Sequence, residues 1–185
     1  MKNSHFKMTR KSVLRLVNMN FLVLLAVASI LSSCSISYKF NGSLVDYSKT
    51  KSISISDFPN SAELIYPPLA HEFTESLRDA YTKQTRLQVL KKGGDMHIEG
   101  EIVGYQLTSM AISADTYSAE TKLTLSVNVR FYNNKNPVDD FENKKYTAFQ
   151  TFKSSQMLTD VQDELMKTMI ADIVDNIYND TVGKW

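Results

Sequence analysis

The residues of this chain that could do chemistry are few: a carboxylate pair, two histidines, a lone cysteine and some scattered cations. Glu99 and Glu101 stand two apart in an alternating stretch, so both project to one face of a strand. Two carboxyls on one face could serve as acid and base in glycoside cleavage. The alternation around them favours a plainer reading, the wet side of an amphipathic strand. His71 lies within a helical pattern, and His97 opens a strand just after Asp95. A serine hydrolase needs a nucleophile and an oxyanion site beside such a histidine, and nothing in the sequence places either there. The sequence also lacks a glycine-rich phosphate loop, a His-Glu-x-x-His pair and a cysteine cluster. Neither a cofactor nor catalysis is expected. Lys122 and Arg130 lie on the polar side of one alternating segment. A cation beside a phosphate makes a charge-assisted bond, so these two are candidate contacts for a phosphorylated lipid. A solvated strand face is the bland alternative.

Cys34 has a more specific context. Residues 1–20 carry Lys2, Lys7, Arg10, Lys11 and Arg15 and no acid. Phe21 to Leu31 is then an apolar run of 11 residues, short for a helix that must cross ~30 Å of hydrocarbon. A basic start, a short apolar stretch and small residues after it make an export signal. Leu31-Ser32-Ser33-Cys34 resembles the lipobox of bacterial lipoproteins, in which a diacylglycerol is attached to the cysteine sulfur and the chain is cut just before it. The expected division is a signal over 1–33, a lipidated tether over 34–50 and a folded domain over 51–185. Two or three acyl chains would hold such a protein stably on a bilayer, at ~0.8 kcal/mol per buried CH₂.

Composition agrees with export and with one folded unit. The chain has 185 residues, 43% hydrophobic and 22% charged, which allows a packed core. One cysteine excludes an intramolecular disulfide. The whole chain carries 21 basic and 20 acidic residues. Removal of 1–33 takes five of the basic ones and no acid, so 34–185 has 16 basic and 20 acidic residues and a net charge of −4. Nucleic acid is an implausible partner for a mildly acidic exported protein.

The elements that must position these side chains follow from periodicity. Residues 51–57 alternate, with Ile53 and Ile55 on one side, and predict a short, half-buried strand. Pro67-Pro68 opens a helix of about 17 residues, with Leu69, Phe73, Leu77 and Tyr81 on its apolar side. Leu87–Leu90 is a second strand, and Lys91–Asp95 is a turn with paired glycines. His97–Leu107 is a third strand, where Gly100 and Gly104 suggest bends or close contacts. Leu123–Phe131 alternates most cleanly, and 144–153 makes the fifth strand, with Tyr146, Ala148, Phe149 and Phe152 as its apolar residues. The last element is a helix whose broad apolar side runs from Val161 to Tyr178. Thr159-x-x-Gln162 fits a capping box at its start, and Gly183 a stop at its end. Strand, helix, strands, helix argues an α+β fold. The expected architecture is a four- to five-stranded, mostly antiparallel sheet with two amphipathic helices packed on one face. Asp180-Thr181-Val182 also resembles a bacterial O-glycosylation signal.

Several short pieces recur in an order that resembles the lipopolysaccharide-assembly lipoprotein family LptE, in the branch found in Bacteroidetes. After Cys34 come Phe58-Pro59-Asn60, Phe73-Thr74-Glu75-x-Leu77 and Gly94-Asp95 with Glu99-Gly100-Glu101-Ile102. Then follow Val127-x-Val129-Arg130-Phe131, Asp140-Phe141-Glu142, Ser154-Ser155-Gln156, Asp163-Glu164-Leu165 and the closing Trp185. The resemblance implies a non-enzymatic protein anchored to the outer membrane and facing the periplasm. It would sit as a plug in the LptD β-barrel, help assemble it and assist lipopolysaccharide delivery. The resemblance carries over no lipopolysaccharide-binding residue; Lys122 and Arg130 are candidate lipopolysaccharide contacts on their charge and place alone. The alternative is a periplasm-facing lipoprotein scaffold that binds another envelope protein or a lipid. The segment 110–119, apolar at Met110, Ala111 and Ile112, reads as a surface loop.

Overall fold

The computed structural model describes residues 45–110 and 119–183. Cys34, most of the tether, residues 111–118 of the loop and Trp185 lie outside the described residues. The elements in chain order are β1 (Ser52–Ile55), α1 (Leu69–Gln84), β2 (Gln88–Leu90), β3 (Met96–Ser109), β4 (Glu120–Asn133), a 3-10 turn (Pro137–Asp139), β5 (Phe141–Lys153) and α2 (Leu158–Thr181). They form an α+β fold on one five-stranded sheet of order β2-β1-β3-β4-β5.

The sheet is mixed, for a reason that lies in its connections. β3, β4 and β5 are long, consecutive and antiparallel. β1 runs parallel to both of its neighbours. The first parallel pair is joined through α1, the crossover that parallel strands require. The second parallel neighbour, β3, is reached by passing residues 91–95 across β1. Gly94 lies against β1 so closely that a Cβ there would be 2.5 Å from the Ser54 nitrogen. Asp95 then fastens the crossing: its carboxylate accepts from the backbone N–H of Lys51 (2.9 Å) and of Ser52 (3.2 Å) and faces Lys135 Nζ at 3.3 Å.

Both helices cover one face. Ile53, Ile55, Met96, Ile98, Ile102, Tyr105, Leu123, Leu125, Val127, Val129 and Phe131 supply the sheet's buried side, met by Leu69, Phe73, Leu77 and Tyr81 of α1 and by Met166 to Ile177 of α2. The α2 methionines are core fillers. Gly100 leaves room for the ring of Phe58, whose Cε1 lies 2.6 Å from where a Cβ would sit. Phe58 in turn packs on Phe73 with ring centroids 5.1 Å apart. Past Phe58 the chain rejoins β3, with Ile102 N donating to Pro59 O and Ser61 N to Ile102 O, each at 2.9 Å. Residues 45–50 pack on the domain too, with Val45 and Thr50 buried.

Three local expectations change. β1 is buried on both sides from Ile53 to Ile55 rather than half buried, Ser54 included, because residues 91–95 cross over it. Thr159 makes no capping box: α2 begins at Leu158 with Met157 at the cap and no side-chain cap bond. Thr159 is already inside the first turn, and its hydroxyl reaches only Asp160 Oδ1, at 3.4 Å. Thr181, within the glycosylation-like tripeptide, is 1% exposed and bonded in the core, where no glycan fits.

Candidate functional site

The sheet face away from the helices is open and polar. Cross-strand register lines up its side chains in rows: Glu99 with Arg130, Glu101 with Asn128 and Lys145, Gln106 with Thr124 and Phe149, and Thr108 with Lys122 and Thr151. Alternation puts every second residue of β3, β4 and β5 here, and the side chains in these rows are polar or charged. Phe149 is the exception. It sits 58% exposed on this face, one position out of phase with the inward Tyr146 and Ala148.

At the β1 end of the face four side chains form a chain of contacts. Ser54 Oγ lies 2.8 Å from His97 Nδ1, and His97 Nε2 lies 3.2 Å from Glu99 Oε2. Arg130 Nε donates to Glu99 Oε1 at 2.8 Å. Bonds from Arg130 and then from His97 hold the Glu99 carboxyl below the ordinary carboxylate range. The residue types are those of a serine hydrolase, and the sequence alone placed no nucleophile beside His97. Parallel pairing of Ser54 with His97 brings them together across 43 residues, a separation that no local pattern reports. The array does not present a nucleophile, however. Ser54 is 1% exposed and its hydroxyl also points to Met96 O, at 3.3 Å, so a substrate carbonyl has no approach to it. Glu101 accepts from Ser61 Oγ at 3.3 Å. The paired carboxylates thus hold strands and a loop together.

Lys122 and Arg130 share the open face but are not brought together. Eight residues along one strand separate them by roughly 26 Å. Arg130 is tied to Glu99. Lys122 Nζ lies over the ring of Phe149, 5.3 Å from its centroid. Lys122 and Phe149 with Thr108, Thr124 and Thr151 make a basic, aromatic and hydroxyl-rich patch towards the β3–β4 turn.

His71 lies elsewhere, in a groove between the helices lined by Glu72, Glu75, Asp79, Asp163 and Lys167. That groove belongs to an acidic layer. The two helices carry nine acidic and three basic residues. The three long strands carry four acidic and five basic ones. An anion approaching this domain is therefore repelled by the helices and met by the sheet. Among the described residues no cluster of side chains could hold a metal ion, and no helix is long and apolar enough to cross a membrane.

No curated protein sequence matches the chain. Among solved structures it is similar to a minor lipoprotein from Acinetobacter baumannii, at 16% identity and a TM-score of 0.44, over 69% of this chain and 89% of that one. It is also similar to the rare lipoprotein B from Shewanella oneidensis, at 12% identity and a TM-score of 0.41, over 70% of this chain and 90% of that one. The family model described as LptE, lipopolysaccharide-assembly, matches residues 50–181, from the strand before α1 to the end of α2. The chain belongs to the LptE family of lipopolysaccharide-assembly proteins.

Proposed function

We propose that the mature chain begins at a lipidated Cys34, faces the periplasm from the outer membrane, and seats in an LptD-type β-barrel. There it helps assemble the barrel and assists lipopolysaccharide insertion. The family match over residues 50–181 carries this reading. The geometry supports it physically. One layer of helices backs a sheet whose open face mixes Thr, Gln, Asn and Ser side chains with charged ones, which suits a polar barrel lumen. Lipopolysaccharide is anionic, and the long strands carry more basic than acidic residues whereas the helices carry mostly acids. Lys122, half-buried beside Phe149 and three threonines, and Arg130 are the side chains proposed to contact it.

Purification from native membranes in mild detergent tests the partnership. A stoichiometric barrel of LptD size is the expected companion, and depletion of the protein should strip lipopolysaccharide from the cell surface. Recovery without a barrel, acyl anchor intact, would leave a lipoprotein scaffold with another partner. Fatty-acid labelling should tag the wild type and not Cys34→Ala. Lipopolysaccharide should bind Lys122→Ala/Arg130→Ala more weakly than wild type, and equal affinity would remove both residues from the contact.

A further inference from the structure

A sheet must finish its outer strands, because each leaves a row of unpaired N–H and C=O groups. On one side this sheet ends in β2, only three residues long. On the other it ends in β5, thirteen residues long and paired with β4 alone. Bulges, charge and proline are the usual means of blunting such an edge. β5 uses a bulge and charge at its first end and charge at its last. Asn143, at φ 56, sits where the register with β4 shifts, and asparagine tolerates that left-handed conformation. Lys144 and Lys145 follow, and Lys153 closes the strand. Asp180 of α2 also covers the first end, accepting from Lys144 Nζ at 2.7 Å and from Tyr146 Oη at 2.9 Å.

The middle is undefended. Thr147-Ala148-Phe149-Gln150-Thr151 has no charge, no proline and no bulge. A groove of about 390 Å³ lies against it, lined by Thr147, Ala148 and Phe149 of the strand and by Asp172, Asp175 and Asn176 of α2. Asp172 and Asp175 are exposed and make no ion pair among the described residues. Asn176 Nδ2 donates to Asp172 O at 2.8 Å, which fixes the amide on its own helix. An open backbone edge, an acidic wall on the helix side and an exposed aromatic ring on the other side thus meet at one place.

We propose that the β5 edge at Thr147–Thr151 receives an extended, basic segment of a partner polypeptide by strand addition. Main-chain hydrogen bonds to the edge supply affinity, and alternate side chains supply choice. Those pointing to the helix layer meet Asp172 and Asp175 and are lysine or arginine. Those pointing to the open face lie beside Phe149 and are aliphatic. The edge does not depend on the barrel reading, since any envelope protein with such a segment qualifies.

The test uses the full lipidated chain in a neutral detergent and a synthetic nine-residue peptide alternating valine and lysine. Two control peptides accompany it, one with glutamate in place of lysine and one N-methylated at alternate residues. Binding is read by fluorescence anisotropy against empty micelles, and by backbone amide exchange. The Val/Lys peptide should bind and slow exchange at 147–151. The glutamate peptide should bind at least roughly tenfold more weakly, and so should the Val/Lys peptide to Asp172→Asn/Asp175→Asn, a loss of ~1.4 kcal/mol. N-methylation in one of its two phases should abolish binding, because it removes the edge-facing N–H groups. Undiminished binding of both N-methylated phases, indifference to the two aspartates, or no slowed exchange at 147–151 with millimolar peptide would each overturn the proposal. Protection of 147–151 without peptide, together with a dimer by sedimentation, would assign the edge to a second copy and overturn it as well.

Discussion

Tyr81 of α1 and Thr181 of α2 meet hydroxyl to hydroxyl inside the core, 100 residues apart in sequence. Thr181 already donates to the Ile177 carbonyl at 2.8 Å, and a hydroxyl has one proton, so the phenol is the donor. Burial keeps the Tyr81 phenol protonated, its pKa pushed far up. The Tyr178 ring stands edge-on to Tyr81, with centroids 5.5 Å apart, and its hydroxyl donates to Gln84 O at 3.2 Å. The two helix C-termini are pinned together here.

The two partners should not be equivalent on mutation. Thr181→Val leaves a buried phenol without an acceptor and should cost ~1–3 kcal/mol, whereas Tyr81→Phe leaves Thr181 bonded to its own helix and should cost ~1 kcal/mol. Urea unfolding of both variants checks the order. A larger loss for Tyr81→Phe would mean that Thr181 depends on the phenol oxygen and not the reverse.

Gly93 and Gly94 should separate two reasons for needing glycine. Gly93 sits at φ 78, and a Cβ added there would meet nothing within 4 Å, so Gly93→Ala meets only the left-handed backbone cost of ~1–2 kcal/mol. At Gly94 a methyl would collide with the β1 backbone at Ile53 and Ser54, and the strand crossing cannot yield. Gly94→Ala should lose upwards of ~4 kcal/mol or fail to fold. Melting temperatures decide it, and equal effects would mean that residues 91–95 do not lie on β1.

Asp95 should make stability depend on acid. Backbone bonding from Lys51, then side-chain contacts with Lys135 and Ser52, hold its carboxyl below the ordinary aspartate range. A carboxyl depressed by folding contributes stability that is fully present above its unfolded pKa and is lost as pH falls through the folded one. Wild type should therefore lose more stability between roughly pH 5 and pH 3 than Asp95→Asn, with the two curves running parallel above roughly pH 5. Curves parallel throughout that acid range would remove Asp95 from the acid response.

Ser54 separates a structural array from a catalytic one. Ser54→Ala deletes a buried hydroxyl and should cost ~1 kcal/mol without changing surface lipopolysaccharide in cells that depend on the protein. Loss of function at unchanged stability and abundance would revive a chemical role for Ser54, His97 and Glu99.

What could be read along the chain was what a short window reports. Alternation in β4 and four-residue spacing in α1 and α2 depend on neighbours in sequence, because side chains repeat every 2 or 3.6 residues. Those elements, the α+β class and the helix-covered face were legible for that reason. Thr159-x-x-Gln162 misled because the same spacing fits a cap or a first turn, and only the path of residues 154–157 selects between them. Phe149 counted as one more apolar residue of its strand, yet the phase of β5 against β4 turns it outward.

The charge of the helices, the amphipathic pattern of each long element and the basic, apolar and cysteine segments at the front are properties of the sequence, since each depends on residues close together along the chain. Register depends instead on pairs far apart. Gly94 over Ser54 and Ser54 beside His97 exist because an α1 crossover and a strand-crossing turn bring distant backbones together, Glu99 opposite Arg130 because β3 and β4 pair antiparallel, and Tyr81 against Thr181 because both helices pack on one face. A one-residue slip in any of those ladders would turn every side chain of the strand to the other face, so the open face, its cations and the bare edge of β5 belong to the tertiary structure.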